Sequence, residues 1–157
     1  MARYLSRRLE KLVDDALGDT RLVAVIGARQ VGKSTLVRRL LRRHRDAREE
    51  RLDRPTVLAA ARADPTRFVR HHGLLAIDEV QRAPELFLAI KAVVDDDPKP
   101  GQFLLTGSAR ILGLRGLPDA LVGRIESLEL WPFSQGEVGE HREDFIDRLF
   151  ADDVELH

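Results

Sequence analysis

Cysteine, asparagine and long apolar runs are all missing from this chain of 157 residues. Without cysteine, disulfides and thiolate metal sites are excluded. No apolar run approaches the length that crosses a bilayer. The basic residues at the N-terminus are not followed by an apolar segment, so a signal peptide is not expected. We therefore expect a cytoplasmic protein that does not enter a membrane.

Neither sign of charge is in excess, because 26 basic residues balance 26 acidic ones. A neutral chain has no global field that would attract nucleic acid. A local basic run remains, and two interpretations of it are open: a nucleic-acid patch, or the solvated face of an amphipathic helix. We favour the solvated face because the whole chain is neutral. The arginines concerned are Arg38, Arg39, Arg42 and Arg43.

The most informative segment that is present spans residues 27–34, which read Gly-Ala-Arg-Gln-Val-Gly-Lys-Ser. This is the phosphate-binding pattern G-x-x-x-x-G-K-[ST]. Gly27 and Gly32 allow the backbone N–H groups to point at phosphate oxygens, Lys33 supplies a positive charge, and Ser34 offers a hydroxyl to Mg²⁺. The predicted phosphate-binding residues are Gly27, Ala28, Arg29, Gln30, Val31, Gly32, Lys33, Ser34 and Thr35.

The segments around this loop predict an α/β fold. Apolar runs that suit buried strands alternate with segments of helical spacing, and this alternation is typical of a mainly parallel sheet. The predicted strands cover residues 22–26, 74–77, 103–106 and 125–130, with a further short strand near 51–53. The predicted organisation is an N-terminal helix within 1–17, a core over 18–135 and the beginning of a truncated C-terminal region over 136–157.

Polar side chains follow two of the predicted strands. Asp78 and Glu79 end one strand, and Thr106 and Ser108 surround Gly107 at the end of another. Ligands of open α/β sheets bind beyond the carboxyl ends of the strands. We predict that Asp78 holds Mg²⁺, that Glu79 orients the attacking water, and that Ser108 senses the γ-phosphate. Turn chemistry is the alternative for the hydroxyls, and the sequence does not say whether Thr106 or Ser108 faces the ligand.

Arg124 stands directly before the last predicted strand. Two interpretations are open: a surface arginine, or a group that reaches the γ-phosphate of a neighbouring subunit and implies a homo-oligomer. The three consecutive aspartates at 95–97 could suggest a metal site, but a solvated turn is favoured because no other ligand spacing accompanies them.

With these motifs assembled, residues 18–135 resemble the AAA+ branch of P-loop ATPases, and more narrowly a group of prokaryotic AAA-type proteins. The resemblance rests on Gly-Ala-Arg-Gln-Val-Gly-Lys-Ser-Thr at 27–35, Asp-Glu-Val-Gln at 78–81, Leu-Thr-Gly-Ser at 105–108 and Gly-Arg at 123–124. It implies a three-layer sandwich with a five-stranded, mainly parallel sheet, in which the phosphate-loop strand neighbours the strand before Ser108. It also implies ATP and Mg²⁺ as ligands.

By the same resemblance, Asp78 takes the Walker B role, Glu79 and Lys33 act in catalysis, Ser108 is a sensor and Arg124 is an arginine finger. Proteins of this group resemble two-domain chains, whereas here only about 25 residues follow Trp131. The expected remnant is one amphipathic helix around Phe145, Ile146, Leu149 and Phe150. The lid and the second-sensor arginine have no candidate.

Other nucleotide-dependent classes fit the sequence less well. A GTPase would need an Asn-Lys-x-Asp element, and an ABC transporter ATPase would need a Ser-Gly-Gly signature; neither is present. In a small-molecule kinase, Glu79 beside Asp78 would favour wasteful hydrolysis. The expected activity is ATP hydrolysis, with a nucleotide-dependent switch of little turnover as the alternative.

Overall fold

A computed structural model describes residues 4–108, 121 and 123–140 of the chain. The predicted helix around Phe145 lies outside these residues. The strands are β1 (Leu22–Ile26), β2 (Arg48–Arg51), β3 (Leu75–Asp78), β4 (Phe103–Gly107) and β5 (Ile125–Glu129). The helices are α1 (Leu9–Asp19), α2 (Lys33–Leu41), α3 (Pro55–Ala63), α4 (Pro65–Phe68), α5 (Leu86–Asp96) and α6 (Gln135–Gly139), with a 3₁₀ turn at Val80–Arg82.

The five strands form one sheet in the order β2-β3-β4-β1-β5, and every pairing in it is parallel. All carboxyl ends therefore meet at one edge of the sheet. Strand β4 lies between β1 and β3, so the phosphate loop after β1 and the acidic pair at the end of β3 face each other across the end of β4. This order confirms the expected α/β fold and the expected neighbour of the phosphate-loop strand.

Two apolar cores lie on opposite faces of the sheet, because successive side chains of a strand point to opposite sides. Leu22, Ala24 and Ile26 of β1 belong to the core that also contains the apolar side of α5. Val23 and Val25 belong to the core shared with α1 and α2. Helices thus cover both faces, which confirms the three-layer sandwich and explains why the central strands read as continuous apolar runs.

Helix α1 spans Leu9–Asp19, so it begins and ends later in the chain than the N-terminal helix predicted within residues 1–17. The difference has a physical reason, since Tyr4 and Arg7 are bound to other parts of the molecule through their side chains. The segment 4–8 therefore crosses the carboxyl edge of the sheet without forming helix. Within the described ranges, no helix is long and apolar enough to cross a membrane.

Candidate nucleotide-binding site

The loop between β1 and α2 has the curled backbone that its glycines predict. Gly27 has φ 154° and Gly32 has φ 101°, both in regions that L side chains rarely adopt. A Cβ atom at Gly27 would lie 2.4 Å from the carbonyl oxygen of Leu130, so only glycine fits against the end of β5. Gln30 also has a positive φ of 66°. Local backbone strain of this kind is concentrated at functional sites.

Lys33 is the first residue of α2, and it is 6% exposed. Its ammonium group donates hydrogen bonds to the carbonyl oxygens of Gly27 at 3.0 Å and Ala28 at 2.7 Å. The positive charge is thus held inside the loop at the N-terminal end of a helix, where the helix dipole adds positive potential. Both features favour an anionic ligand at this position.

Asp78, the last residue of β3, connects the end of the phosphate loop to β4. Its Oδ2 accepts a hydrogen bond of 2.9 Å from the Ser34 hydroxyl, and its Oδ1 accepts one from the Thr106 hydroxyl. Asp78 is only 4% exposed, so these donors compensate a carboxylate that has lost most of its water. The sequence assigns Ser34 and Asp78 to the same Mg²⁺ ion, and the structure places the two side chains together.

Glu79 follows Asp78 with a left-handed backbone, φ 61° and ψ 43°. Its N–H donates to the Thr106 hydroxyl at 3.2 Å, and its Oε2 accepts a hydrogen bond of 2.5 Å from the Gln81 side chain. A left-handed glutamate costs about 1 kcal/mol or more, so the surrounding contacts must hold it. Glu79 lines a cavity together with residues of the phosphate loop.

A cavity of about 690 Å³ opens between the phosphate loop and Glu79. This volume lies within the range of small-molecule sites. Its lining is polar, and three of its residues are basic. The residues that line it are Arg29, Gln30, Gly32, Lys33, Ser34, Thr35, Arg38 and Glu79. The cavity therefore brings six of the nine predicted loop residues to the same space as Glu79, the predicted water-orienting acid.

The two hydroxyls of the third motif have different positions. Thr106 is 1% exposed and is bound to both Asp78 and Glu79. Ser108 is half-buried beyond the end of β4, and its side chain has no hydrogen bond within the described part of the chain. The structure thus connects Thr106 directly to the acidic pair, whereas the role predicted for Ser108 stays a prediction.

Arg124 lies at the amino-terminal ends of the parallel strands, whereas the phosphate loop lies at their carboxyl ends. Ile125 is paired with Leu22 at the beginning of β1, whereas the loop follows the end of β1 at Ile26. The Arg124 guanidinium contacts the Asp95 carboxylate on α5, with Nε–Oδ1 at 2.5 Å and Nη2–Oδ2 at 3.2 Å. Hydrogen bonds from Arg124 and Lys91 lower the pKa of Asp95 to about 2. Arg124 is therefore not part of the cavity of its own chain.

Arg7 is a site residue that the sequence analysis missed. It is 6% exposed, and its guanidinium donates to the carbonyl oxygens of Val31 in the loop and Trp131 after β5. It also donates to the Glu137 carboxylate at 3.3 Å and lies 4.1 Å above the Phe133 ring. One side chain thus joins the phosphate loop to the segment that follows β5. An isolated arginine in a basic N-terminal segment belongs to no motif, so no pattern in the sequence marks it.

Two buried carboxylates anchor the segment 4–8. Burial opposes the ionisation of Glu10, but hydrogen bonds from Tyr4 and the Arg7 N–H, together with Arg43 and Arg39, outweigh it and hold its pKa below the ordinary value. Burial acts in the same way on Glu137, and hydrogen bonds from the N–H groups of Arg8 and Ser134 and from the Arg7 side chain lower its pKa.

Acidic side chains of α1 lie against the basic face of α2. Arg43 forms ion pairs with Glu10 at 2.8 Å and Asp14 at 2.5 Å, and Arg39 lies 3.9 Å from Glu10. Acidic side chains therefore neutralise part of the arginine run. This supports the solvated-face interpretation over a nucleic-acid patch.

The donor set around Ser34 and Asp78 fits Mg²⁺. A hydroxyl and a carboxylate are hard oxygen ligands, and Mg²⁺ in phosphate sites takes few protein ligands because phosphate and water supply the others. Consistent with such a sparse site, no cluster of three or more histidines or acids that could enclose a metal occurs in the described ranges.

The chain was compared with protein families and with solved structures. A family model described as an AAA domain matches residues 19–139. Among solved structures, AMPPCP-bound DnaA from Aquifex aeolicus aligns with a TM-score of 0.59 at 19% identity, over 95% of this chain and 57% of DnaA. The Walker-type ATPase PABY2304 of Pyrococcus abyssi aligns with a TM-score of 0.57 at 18% identity, over 87% of this chain and 56% of that protein. These likenesses show the P-loop ATPase fold.

Curated relatives occur in mycobacteria. Uncharacterized proteins of Mycobacterium tuberculosis and Mycobacterium bovis are each 36% identical to this chain over 133 residues. The match covers 82% of this chain but 29% of each relative, so the chain spans less than a third of their length. The phosphate loop, the Asp78–Glu79 pair and the β2-β3-β4-β1-β5 order all fall within the matched domain. The chain belongs to this AAA domain family of P-loop ATPases.

Proposed function

We propose that this chain binds ATP together with Mg²⁺ and hydrolyses ATP to ADP and phosphate. The observation that carries the proposal is the connected set of Ser34, Asp78, Thr106 and Glu79 at the mouth of the phosphate loop. Asp78 and Glu79 stand at the end of β3, Thr106 near the end of β4, and Ser34 in the first turn of α2. Membership of the AAA domain family supports nucleotide binding at this place.

Phosphate binding would use the loop amides and Lys33. The ammonium of Lys33 is held by the carbonyl oxygens of Gly27 and Ala28. It would exchange these neutral acceptors for charged phosphate oxygens, which form stronger hydrogen bonds with a cation. The curl at Gly32 and the beginning of α2 would add backbone N–H donors. Lys33 therefore acts both in binding and in stabilising the charge that develops during transfer.

Ser34 and Asp78 would hold the metal. When bound, Mg²⁺ neutralises phosphate charge and acts as a Lewis acid on the phosphate oxygens. Ser34 would ligate through its hydroxyl, and Asp78 would hold the ion through its water shell. Thr106 would keep the Asp78 carboxylate in one orientation by donating to its other oxygen.

Glu79 would orient the attacking water. The water oxygen forms a bond to the γ-phosphorus while the bond from that phosphorus to the bridging oxygen of ADP breaks. The proton lost by the water moves to the Glu79 carboxylate and then to solvent. Gln81 fixes one oxygen of that carboxylate by donating to it at 2.5 Å. Positioning of this kind is the main protein contribution to phosphoryl transfer.

Arg124 would act on a neighbouring copy of the chain. It lies at the far edge of its own sheet and is held by Asp95, so it can meet a γ-phosphate only across a subunit interface. A homo-oligomer through this edge would complete the site, and hydrolysis by an isolated copy would be slow. A nucleotide-dependent switch with little turnover is the second candidate, and this separation of Arg124 from its own site favours it.

The experiment measures ATP binding and phosphate release for the wild type, Lys33→Ala and Glu79→Gln. We expect Lys33→Ala to weaken binding strongly, and Glu79→Gln to retain binding while turnover falls about a hundredfold or more. Lys11→Ala and Glu129→Gln are matched controls, because both residues are exposed and lie outside the cavity. Binding without any cleavage by the wild type would leave the switch as the function. Absence of nucleotide binding would refute both candidates.

A further inference from the structure

Arg51 lies beside Asp78 at the carboxyl edge of the sheet. It is the last residue of β2 and is the register partner of Asp78 on β3. Its Nε lies 4.0 Å from Oδ2 of Asp78, and its Nη2 donates to Oδ2 of Asp53 at 2.6 Å. One guanidinium is therefore shared between a buried carboxylate and an exposed one.

The Nε atom of Arg51 is buried and has no hydrogen-bond acceptor among the described residues. A buried donor without an acceptor is unfavourable and calls for a physical explanation. What compensates it is the attraction between the guanidinium and the carboxylate of Asp78, which is 4% exposed.

The contact involves the same carboxylate oxygen that accepts the Ser34 hydroxyl. In the proposed function this oxygen faces the Mg²⁺ ion and its water shell. A guanidinium 4.0 Å away is a second cation in competition for the same negative charge. Asp53 offers an alternative partner within reach, because Arg51 already donates to it.

We propose that Arg51 is a positioning residue that helps to neutralise Asp78 before Mg²⁺ binds, and that it gives up Asp78 and keeps Asp53 as its partner when Mg²⁺ arrives with the nucleotide. The proposal rests on the proposed function of the site. Arg51 and Mg²⁺ then compete for the Asp78 carboxylate, and Asp53 sets the balance by drawing the guanidinium away. Arg51 keeps the buried acid compensated in the metal-free protein and limits how strongly Mg²⁺ promotes nucleotide binding.

The test compares two dissociation constants of ADP, one in EDTA and one at saturating Mg²⁺, by calorimetry. The dissociation constant in EDTA divided by the constant at saturating Mg²⁺ measures how strongly Mg²⁺ promotes binding. We expect Arg51→Met to raise this ratio about three- to tenfold, because the competing cation is gone. Asp53→Asn should lower it by a similar factor, because Arg51 then has only Asp78 as a partner. The double variant should behave like Arg51→Met, since Asp53 acts only through Arg51.

The opposite shifts of this ratio in Arg51→Met and Asp53→Asn distinguish the positioning role from a structural one. A residue that only supports the fold would weaken nucleotide binding in both single variants and in both solutions. Arg54→Met is the matched control, because Arg54 is an exposed arginine three residues further along the chain. If Arg51→Met does not fold, Asp53→Asn still decides the matter, because Asp53 is exposed and its replacement must lower the ratio.

Unchanged ratios in folded variants, or ratios that shift in the same direction, would overturn the inference while nucleotide binding stands. Failure of the wild type to bind ADP in either solution would overturn the proposed function and, with it, this inference.

Discussion

The Ser34 hydroxyl donates a hydrogen bond of 2.9 Å to Oδ2 of Asp78, although 44 residues separate them in the chain. Ser34 is placed by the first turn of α2, and Asp78 by the last position of β3. Strand β4 lies between β3, which carries Asp78, and β1, which leads into the phosphate loop, and its Thr106 binds the other oxygen of Asp78. The contact therefore depends on the strand order of the sheet as well as on the two motifs.

Thr106 and Ser108 can be separated by a matched pair of variants. Thr106→Val keeps the side-chain shape but leaves Oδ1 of Asp78 and the N–H of Glu79 without their partner. We expect it to lower the free energy of unfolding by about 1–3 kcal/mol and ATP turnover by about tenfold or more. Ser108→Ala should change the unfolding free energy by about 0.5 kcal/mol or less. Urea unfolding measures the free energy of unfolding of each variant, and phosphate release measures its ATP turnover.

If Ser108→Ala lowers turnover as much as Thr106→Val while stability is unchanged, Ser108 takes the sensor role that the motif assigns to it. If only Thr106→Val lowers turnover, the sensor role moves to Thr106.

Arg7 should be important for both stability and nucleotide affinity. Arg7→Met removes the hydrogen bonds to Val31 and Trp131. It also leaves Oε1 of the Glu137 carboxylate without the guanidinium that compensates its charge. We expect a loss of about 2–4 kcal/mol in the free energy of unfolding. ADP binding should also weaken, because the guanidinium no longer holds the loop through the carbonyl oxygen of Val31.

The control for Arg7 is Arg45→Met, which removes an exposed arginine beyond the end of α2. Hydrogen exchange of the loop amides reports on the position of the effect. Unchanged exchange at residues 28–32 in Arg7→Met would show that Arg7 does not hold the loop.

Acid should destabilise the chain through Glu10 and Glu137. The pKa of each is lower in the folded protein than its ordinary value of 4.5. Such groups contribute stability above the unfolded pKa, and this contribution is lost as pH falls through the folded pKa. We expect the urea midpoint to be constant from neutral pH to about 5 and to fall below that.

Glu137→Gln tests the assignment of this acid effect. At neutral pH the variant should be less stable than the wild type, and the difference should shrink as the pH falls below about 4.5. Asp95 contributes in the same direction at lower pH, because its pKa falls from 3.8 to about 2. A difference between variant and wild type that stays constant down to pH 3 would contradict the role given to Glu137.

Arg124 should influence turnover only when copies of the chain meet. We expect the specific ATPase activity of the wild type to rise with protein concentration, and Arg124→Ala to abolish that rise without changing the dissociation constant of ATP. Asp95→Asn is the complementary variant, because it releases Arg124 from its ion pair and should preserve the rise. A specific activity that is independent of concentration in the wild type would exclude action across an interface.

Much of the site could be predicted from short segments because the chemistry is local in sequence. Residues 27–34 carry glycines, a lysine and a hydroxyl at fixed spacing, and the structure shows the curled backbone and the buried Lys33 that this pattern predicts. The apolar runs before Asp78 and Gly107 predicted buried strands, and both are fully buried. In such cases, one turn or one strand defines the geometry.

Arg7 and Arg51 could not be predicted, since their partners are distant in sequence. Arg7 meets Glu137 across 130 residues, and Arg51 meets Asp78 only because β2 and β3 pair in that register. The late beginning of α1 has the same origin, because tertiary contacts of Tyr4 and Arg7 override the helical spacing of the first residues.

The sequence by itself determined the phosphate loop, the acidic pair and the alternation of strands and helices, because backbone conformation and burial follow from neighbouring residues. Only the tertiary structure decided that Thr106 binds Asp78, that Arg124 lies at the far edge, and that two arginines from other elements lie against the site. Those relationships depend on strand order and register, which arise from packing between segments that are distant in the chain.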